Sequence, residues 1–218
     1  MTPVAVPSPA EMAPRWAALS AALAARGERW SHGCWARPGV WHYDDGGSNW
    51  ADLVLPGDQR AMLVGHDHEY SATYFREAAA YFDEPDTDLL GGCPPWWEPA
   101  IATYLDRQRT HGMWIGFIYG FDGHRWSRAD YTLDDGFTSL DLPFVTTTAT
   151  AAAIAGLINT WAADRQAAQA TDSQTAVAAL IEAGSDMTAQ TLTAALGALA
   201  PHADLRAGLS AARAFTQT

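Results

Sequence analysis

Lysine is missing from all 218 residues; every one of the thirteen basic side chains is arginine. The absence removes several chemistries at once. There is no Walker-type lysine to hold a β- or γ-phosphate, no kinase-type lysine, and no amine for a Schiff base or pyridoxal linkage. A lysine-free, alanine- and arginine-rich chain also has a plain source in GC-rich coding. Cysteine is nearly as scarce. Cys34 and Cys93 form neither a CxxC pair nor a disulfide framework, so both thiols are expected to stay free and reduced. Positive charge is short as well: 13 arginines face 25 carboxylates, for a net charge of −12. The nearest approach to a basic stripe is "HRWSRADY", with Arg125 and Arg128, so nucleic acid is not an expected partner. No uncharged apolar run approaches the roughly 20 residues that span a bilayer. The opening "MTPVAVPSPAEMAPRW" lacks the basic region and apolar core of a signal peptide. The expectation is a cytoplasmic protein that does not associate with membranes. Finally, "GGSNW" lacks the second glycine of a nucleophile elbow, and no GxGxxG occurs.

What the chain does have is apolar material, 48% of its residues, including ten tryptophans. Its periodicity changes along the sequence. Ser8, Pro9 and Glu11 form a capping box, and Met12, Trp16, Leu19 and Leu23 follow at helical spacing up to Gly27. From Val40 the period becomes two. Strands are predicted over 40–44, 49–55 and 60–68, with "DGGS" and "PGDQ" as turns. A four-residue loop at 56–59 would set Leu55 opposite Arg60, Leu53 opposite Met62 and Trp50 opposite Gly65, a register sensitive to a slip of one residue.

A helix is expected over 71–82, with Ser71 as cap and Phe75, Ala78, Ala79 and Phe82 on one face. A turn-rich loop follows over 83–99, then a helix marked by Ile101, Tyr104, Leu105 and Gln108. "MWIGFIYGF" at 113–121 reads as a central strand buried on both faces. "DG" at 122–123 is a hairpin turn, with further strands expected over 125–133 and 137–144. Beyond Thr146 the strands stop. Ile154, Leu157, Ile158 and Trp161 mark a long helix. Three shorter ones follow, with Ser173, Thr188 and His202 near their starts. Strands first and helices afterwards, without βαβ alternation, predicts an α+β fold: antiparallel β-meanders packed with helices, then an all-helical C-terminal region. The expected organisation is one domain overall, with 1–145 an α+β core carrying the N-terminal helix and 146–218 a helical region packed on it.

One short stretch invites a chemical reading. In "GHDHEY" (65–70), His66 and His68 share a strand face, which suits two ligands of zinc or manganese, with a third from His42, Asp44, Asp45, His111 or His124. The second aspartate–histidine of a fuller metallohydrolase pattern is not there; Glu69 and Tyr70 stand in its place. A partly buried pair hydrogen-bonded to backbone explains the motif equally simply. His32 lies two residues before Cys34, which does not make a nucleophilic dyad. The aspartates at 44–45, 122 and 134–135 all adjoin glycine in turns, where local backbone bonding accounts for them.

Trp96 and Trp97, between prolines in "GGCPPWWEP", are the candidate binding residues, because loop tryptophans concentrate interface energy. Burial of the pair at a core edge is the competing explanation. With its acidic charge and aromatic hairpins, the chain resembles bacterial immunity proteins in fold class alone. The expected function is non-catalytic recognition of a protein partner with a basic surface, without a cofactor. The alternative is a small metal-dependent hydrolase built on His66 and His68.

Overall fold

Residues 1–166 and 173–216 are described in the computed structural model, and the fold is α+β. Strands are β1 (Thr2–Val4), β2 (Cys34–Arg37), β3 (Val40–Asp44), β4 (Trp50–Gly57), β5 (Arg60–His66), β6 (Phe117–Phe121) and β7 (Trp126–Arg128). Helices are α1 (Pro9–Arg26), α2 (Glu28–Ser31), α3 (Glu77–Phe82), α4 (Trp97–Thr110), α5 (Thr147–Asp164), α6 (Ser173–Ala183), α7 (Ala189–Leu196) and α8 (Leu205–Arg213). Among the described residues no helix is long and apolar enough to cross a membrane. The chain divides into two compact units, one of residues 1–8 and 38–141, the other of 9–37 and 142–218. The N-terminal helix, which its position in the sequence assigns to 1–145, belongs to the second unit.

The first unit is an antiparallel sheet in the order β1-β7-β6-β5-β4-β3. Cross-strand partners share a face, so the register lays out side chains in rows. On one face run Val40–Val54–Met62–Gly120, then His42–Asp52–Val64–Ile118, then Asp44–Trp50–His66. Helix α4 covers the first two rows with Ile101, Tyr104 and Leu105, three buried residues at helical spacing. Trp97, at the start of α4, lies over Gly120, where a Cβ would collide with the indole. The glycine is there for that close approach.

The β4–β5 register differs from the expected one by a single residue. Trp50 pairs with His66 and Leu53 with Leu63, and an irregularity lies between Val54 and Gly57. The reason is the turn. Its loop is two residues, Asp58 and Gln59, both left-handed (φ 53° and 59°), the type I′ geometry that suits the twist of a tight hairpin. A slip of one residue reverses faces, so Trp50 and His66 stand side by side. Gly65 faces Ala51, and its missing side chain admits the Phe117 ring.

Three other expectations are corrected. Only Glu77–Phe82 of the segment 71–82 is helical. Residues before it are held by tertiary bonds: Thr73 Oγ1 donates to Gly116 O (2.5 Å), Ala72 N to Asp134 O (2.7 Å) and Thr87 N to Tyr74 O (2.7 Å). Ser71 therefore caps no helix. Its hydroxyl accepts from Asp67 N (3.0 Å) and donates to Asp135 O (3.0 Å). Helix α4 begins at Trp97, inside the expected loop. The stretch 137–144 is not a strand but turns, with Asp141 left-handed (φ 42°).

In the second unit α1 is the central element, packed by α5, α6 and α8. Met12 and Trp16 are fully buried, and the Trp16 ring stacks on Phe144 (centroids 3.6 Å apart). Gly208 brings α8 against the Ala21 carbonyl and Ala25 of α1. Thr146, Thr188 and Asp204 cap α5, α7 and α8 through their side-chain oxygens. Thr188 is thus a cap as its sequence position predicts, while the Ser173 side chain lies outside the described residues. His202 instead ends a short 3₁₀ turn, and Asp204 opens the last helix.

Candidate functional site

The third row of the sheet, Asp44–Trp50–His66, extends beyond the cover of α4 and opens into a groove of about 460 Å³. Ser48, His68 and Trp114 complete its principal walls. The β3–β4 hairpin holds one side in place. Asp45 accepts from Gly47 N (2.6 Å) and from the Asn49 amide group (3.0 Å), and Asp44 Oδ1 accepts from Gly46 N (2.5 Å). Asn49 Oδ1 in turn accepts from His68 N (2.8 Å), tying the end of β5 to the hairpin.

Strand β5 stops at His66 because Asp67 turns the chain. Asp67 is buried, accepts from Glu69 N and Tyr70 N (2.9 and 3.0 Å), and takes a bond from the Ser139 hydroxyl (2.5 Å). The two histidine rings lie 6.4 Å apart between centroids, but they do not share a strand face: β5 ends at His66 and His68 stands in the turn beyond it. His66 also meets the edge of Trp114 (6.4 Å). Its Nδ1 is buried and has no hydrogen-bond partner among the described residues. Burial, reinforced by repulsion from His68 and opposed by Asp67, pushes the His66 imidazole down to about 4. The ring is therefore neutral near pH 7.

Among the described residues, no group of three or more histidine, cysteine, aspartate or glutamate side chains is placed to hold a metal. The proposed third ligands have other settings. His42 Nδ1 pairs with Asp52 (2.5 Å), while Asp45 is used by its turn. Asp44 alone of them shares the groove with His66 and His68. Asp52, buried under α4, also accepts from Tyr104 Oη (2.7 Å) and Gln108 Nε2 (3.3 Å). This His–Asp–Tyr–Gln network gives a carboxylate under a helix the partners its burial requires. Burial and the adjacent Asp52 raise the Tyr104 phenol far above its ordinary range.

Both thiols are unreactive by environment. Burial drives Cys34 well above the ordinary thiol range and Cys93 up to about 11, so neither supplies a thiolate near neutral pH.

The tryptophan pair separates. Trp97 is 1% exposed and part of the core beneath α4. Trp96 is half-buried, with the Arg60 guanidinium 5.0 Å from its ring. The exposed aromatic surface lies elsewhere. Helix α3 buries its small residues Ala78 and Ala79 and turns Tyr81 (72% exposed) and Phe82 (44%) outward. Phe82 is therefore not on the covered face where the helical period would put it. It packs instead on Trp114 (4.5 Å), Tyr81 packs on both (5.0 and 5.3 Å), and Tyr74 adjoins Phe82 (5.6 Å). Trp114 thus belongs at once to this cluster and to the wall of the groove. No sequence period marks these residues as a group, since they come from separate segments. No protein-family model, curated protein or solved structure matches this chain.

Proposed function

We propose that this is a binding protein that recognises another protein with a basic surface, and that its docking face is the aromatic cluster of Tyr81, Phe82 and Trp114. The observation that supports this reading is a pair of exposed rings, Tyr81 and Phe82, packed on each other and on the half-buried Trp114. Rings 4.5–5.3 Å apart leave no room for a ligand between them. They form a firm apolar platform, of the kind that carries interface energy in a few residues. Asp83 and Glu84 follow it directly and are exposed, and the net charge of −12 extends the acidic setting. Such a field speeds encounter with cationic partners. An immunity-type role, blocking a basic toxin in the cytoplasm, is one form of this function. Trp96 is a secondary contact in this reading, and Trp97 contributes through folding.

The test is capture from the native host with wild-type and Tyr81→Ala, Phe82→Ala baits. A basic protein should be retained by the wild type, associate more slowly as salt rises, and leave the double variant about thirtyfold faster. A partner held equally well by both baits would reject the face. The hydrolase alternative has its histidine pair, but among the described residues no group of three potential ligands is placed to hold a metal. It replaces the binding reading if no partner is found and the purified chain binds zinc or manganese stoichiometrically while turning over a small molecule.

A further inference from the structure

We infer that the groove beside the aromatic cluster is a guanidinium site, which receives an arginine side chain of the basic partner. The inference rests on the docking reading above and names the group recognised.

Three features of the walls carry it. Asp44 brings a carboxylate whose Oδ1 accepts from Gly46 N, while its Oδ2 has no partner among the described residues. Trp114 offers a half-buried indole, and the partly buried Met113 adds an apolar side chain to the lining. No arginine lines the groove to compete for the carboxylate. A free carboxylate oxygen beside an aromatic and apolar wall is complementary to a flat, weakly hydrated cation. The guanidinium can donate to the carboxylate and stack on the ring together, whereas an ammonium is a compact, strongly hydrated charge.

His66 does not oppose this: its burial holds it neutral, so it adds no positive charge near pH 7. A metal reading of the same walls is not supported: among the described residues no three histidine, cysteine, aspartate or glutamate side chains are placed to hold an ion. A carboxylate or phosphate ligand would meet Asp44 with no arginine to offset it. The position also fits: Trp114 is shared with the docking cluster, so an arginine entering the groove extends the same interface.

The experiment uses the intact chain and three small probes, N-acetyl-arginine amide, N-acetyl-lysine amide and the neutral isostere N-acetyl-citrulline amide. NMR follows the Trp114 indole N–H, assigned through Trp114→Phe, and the ring signals of His66 and His68. The arginine probe should shift these signals saturably, with at least about tenfold weaker response to lysine and citrulline. Asp44→Asn should weaken the arginine probe by about tenfold or more. Asparagine keeps the oxygen that accepts from Gly46 N, and an unchanged spectrum elsewhere verifies the fold. Equal binding of all three probes, arginine binding that survives Asp44→Asn, or silence towards arginine each overturns the site. Silence with partner capture still dependent on Tyr81 and Phe82 removes the groove inference alone. Arginine binding without any partner removes the docking reading alone.

Discussion

His66 shows how one residue's environment sets its chemistry. It pairs across the sheet with Trp50, touches Trp114, and keeps Nδ1 away from water with no partner among the described residues. Protonation would place a charge where solvation is poor, so the folded state holds the imidazole near 4 against about 6.5 in an open chain. The sign follows. Between these values the unfolded chain binds the proton and the folded chain does not, so stability rises with pH across that window. The contribution is fully present above about pH 6.5 and is lost as pH falls towards 4. Its size is at most about 3 kcal/mol, reduced by the partial exposure of the ring. His66→Phe should flatten this part of the stability–pH curve, measured by denaturant unfolding at steps between pH 7 and 4. The His66 ring signals should titrate near 4 in the folded wild type. A midpoint near 6.5 would show that water reaches the ring and that burial does not govern it.

At the scale of elements, the two-residue turn between β4 and β5 decides which side chains meet. Asp58 and Gln59 both adopt left-handed backbone, which costs about 1 kcal/mol or more for a residue such as glutamine. Glycine has no such penalty and is the favoured second residue of a type I′ turn. Gln59→Gly should therefore stabilise the protein by roughly 0.5–1 kcal/mol and raise the melting temperature by a few degrees, read by calorimetry. A fall in melting temperature would mean that the Gln59 side chain matters more than its backbone angle. The turn also explains where sequence reading stops. The alternation that predicts β3, β4 and β5 is a local property and is visible in the order of residues. Register is set by a loop geometry that "PGDQ" does not announce, because its two central left-handed residues are Asp58 and Gln59, neither of them glycine. With the slip, Trp50 moves to the His66 face, and the groove depends on that pairing. Segment 71–76 was hidden for a similar reason. Its helical period is real, but Thr73, Ala72 and Tyr74 are bonded to residues 43, 62 and 13 positions away. Helix α3 reverses the usual pattern by burying alanines and exposing Tyr81 and Phe82, so hydrophobicity alone assigns them to the core. The HxH pair is visible in the sequence because it is local; Trp114 reaches it from 46 residues beyond His68.

For the whole molecule, the way the chain is divided governs what can be removed. The second unit contains residues 9–37 as well as 142–218, so its helices come from both ends of the sequence. Helix α1 buries Met12, Trp16 and Leu19 within this unit, and its partners α5, α6 and α8 all lie after Asp141. The contacts are specific. Trp16 stacks on Phe144, Arg15 donates to Val145 O (2.7 Å), and Asp204 N donates to Ala25 O (2.9 Å). A fragment ending at Asp141 would retain α1 but lose every one of these partners. Exposing a large apolar side chain costs roughly 1.5–3 kcal/mol, so uncovering Met12, Trp16 and Leu19 together approaches the 5–15 kcal/mol that stabilises a whole domain. Fragment 1–141 should consequently be insoluble, or soluble with strong dye binding and weakened near-ultraviolet dichroism. Deleting residues 9–37 together with the tail tests the same point from the other side. Joining Ser8 to Pro38 by a flexible linker keeps all six strands of the first unit and removes the stranded helix. That chain should be more soluble than 1–141 despite being shorter. If 1–141 instead melts cooperatively with α1 protected from hydrogen exchange, the helix belongs with the sheet and the division drawn by its contacts is wrong.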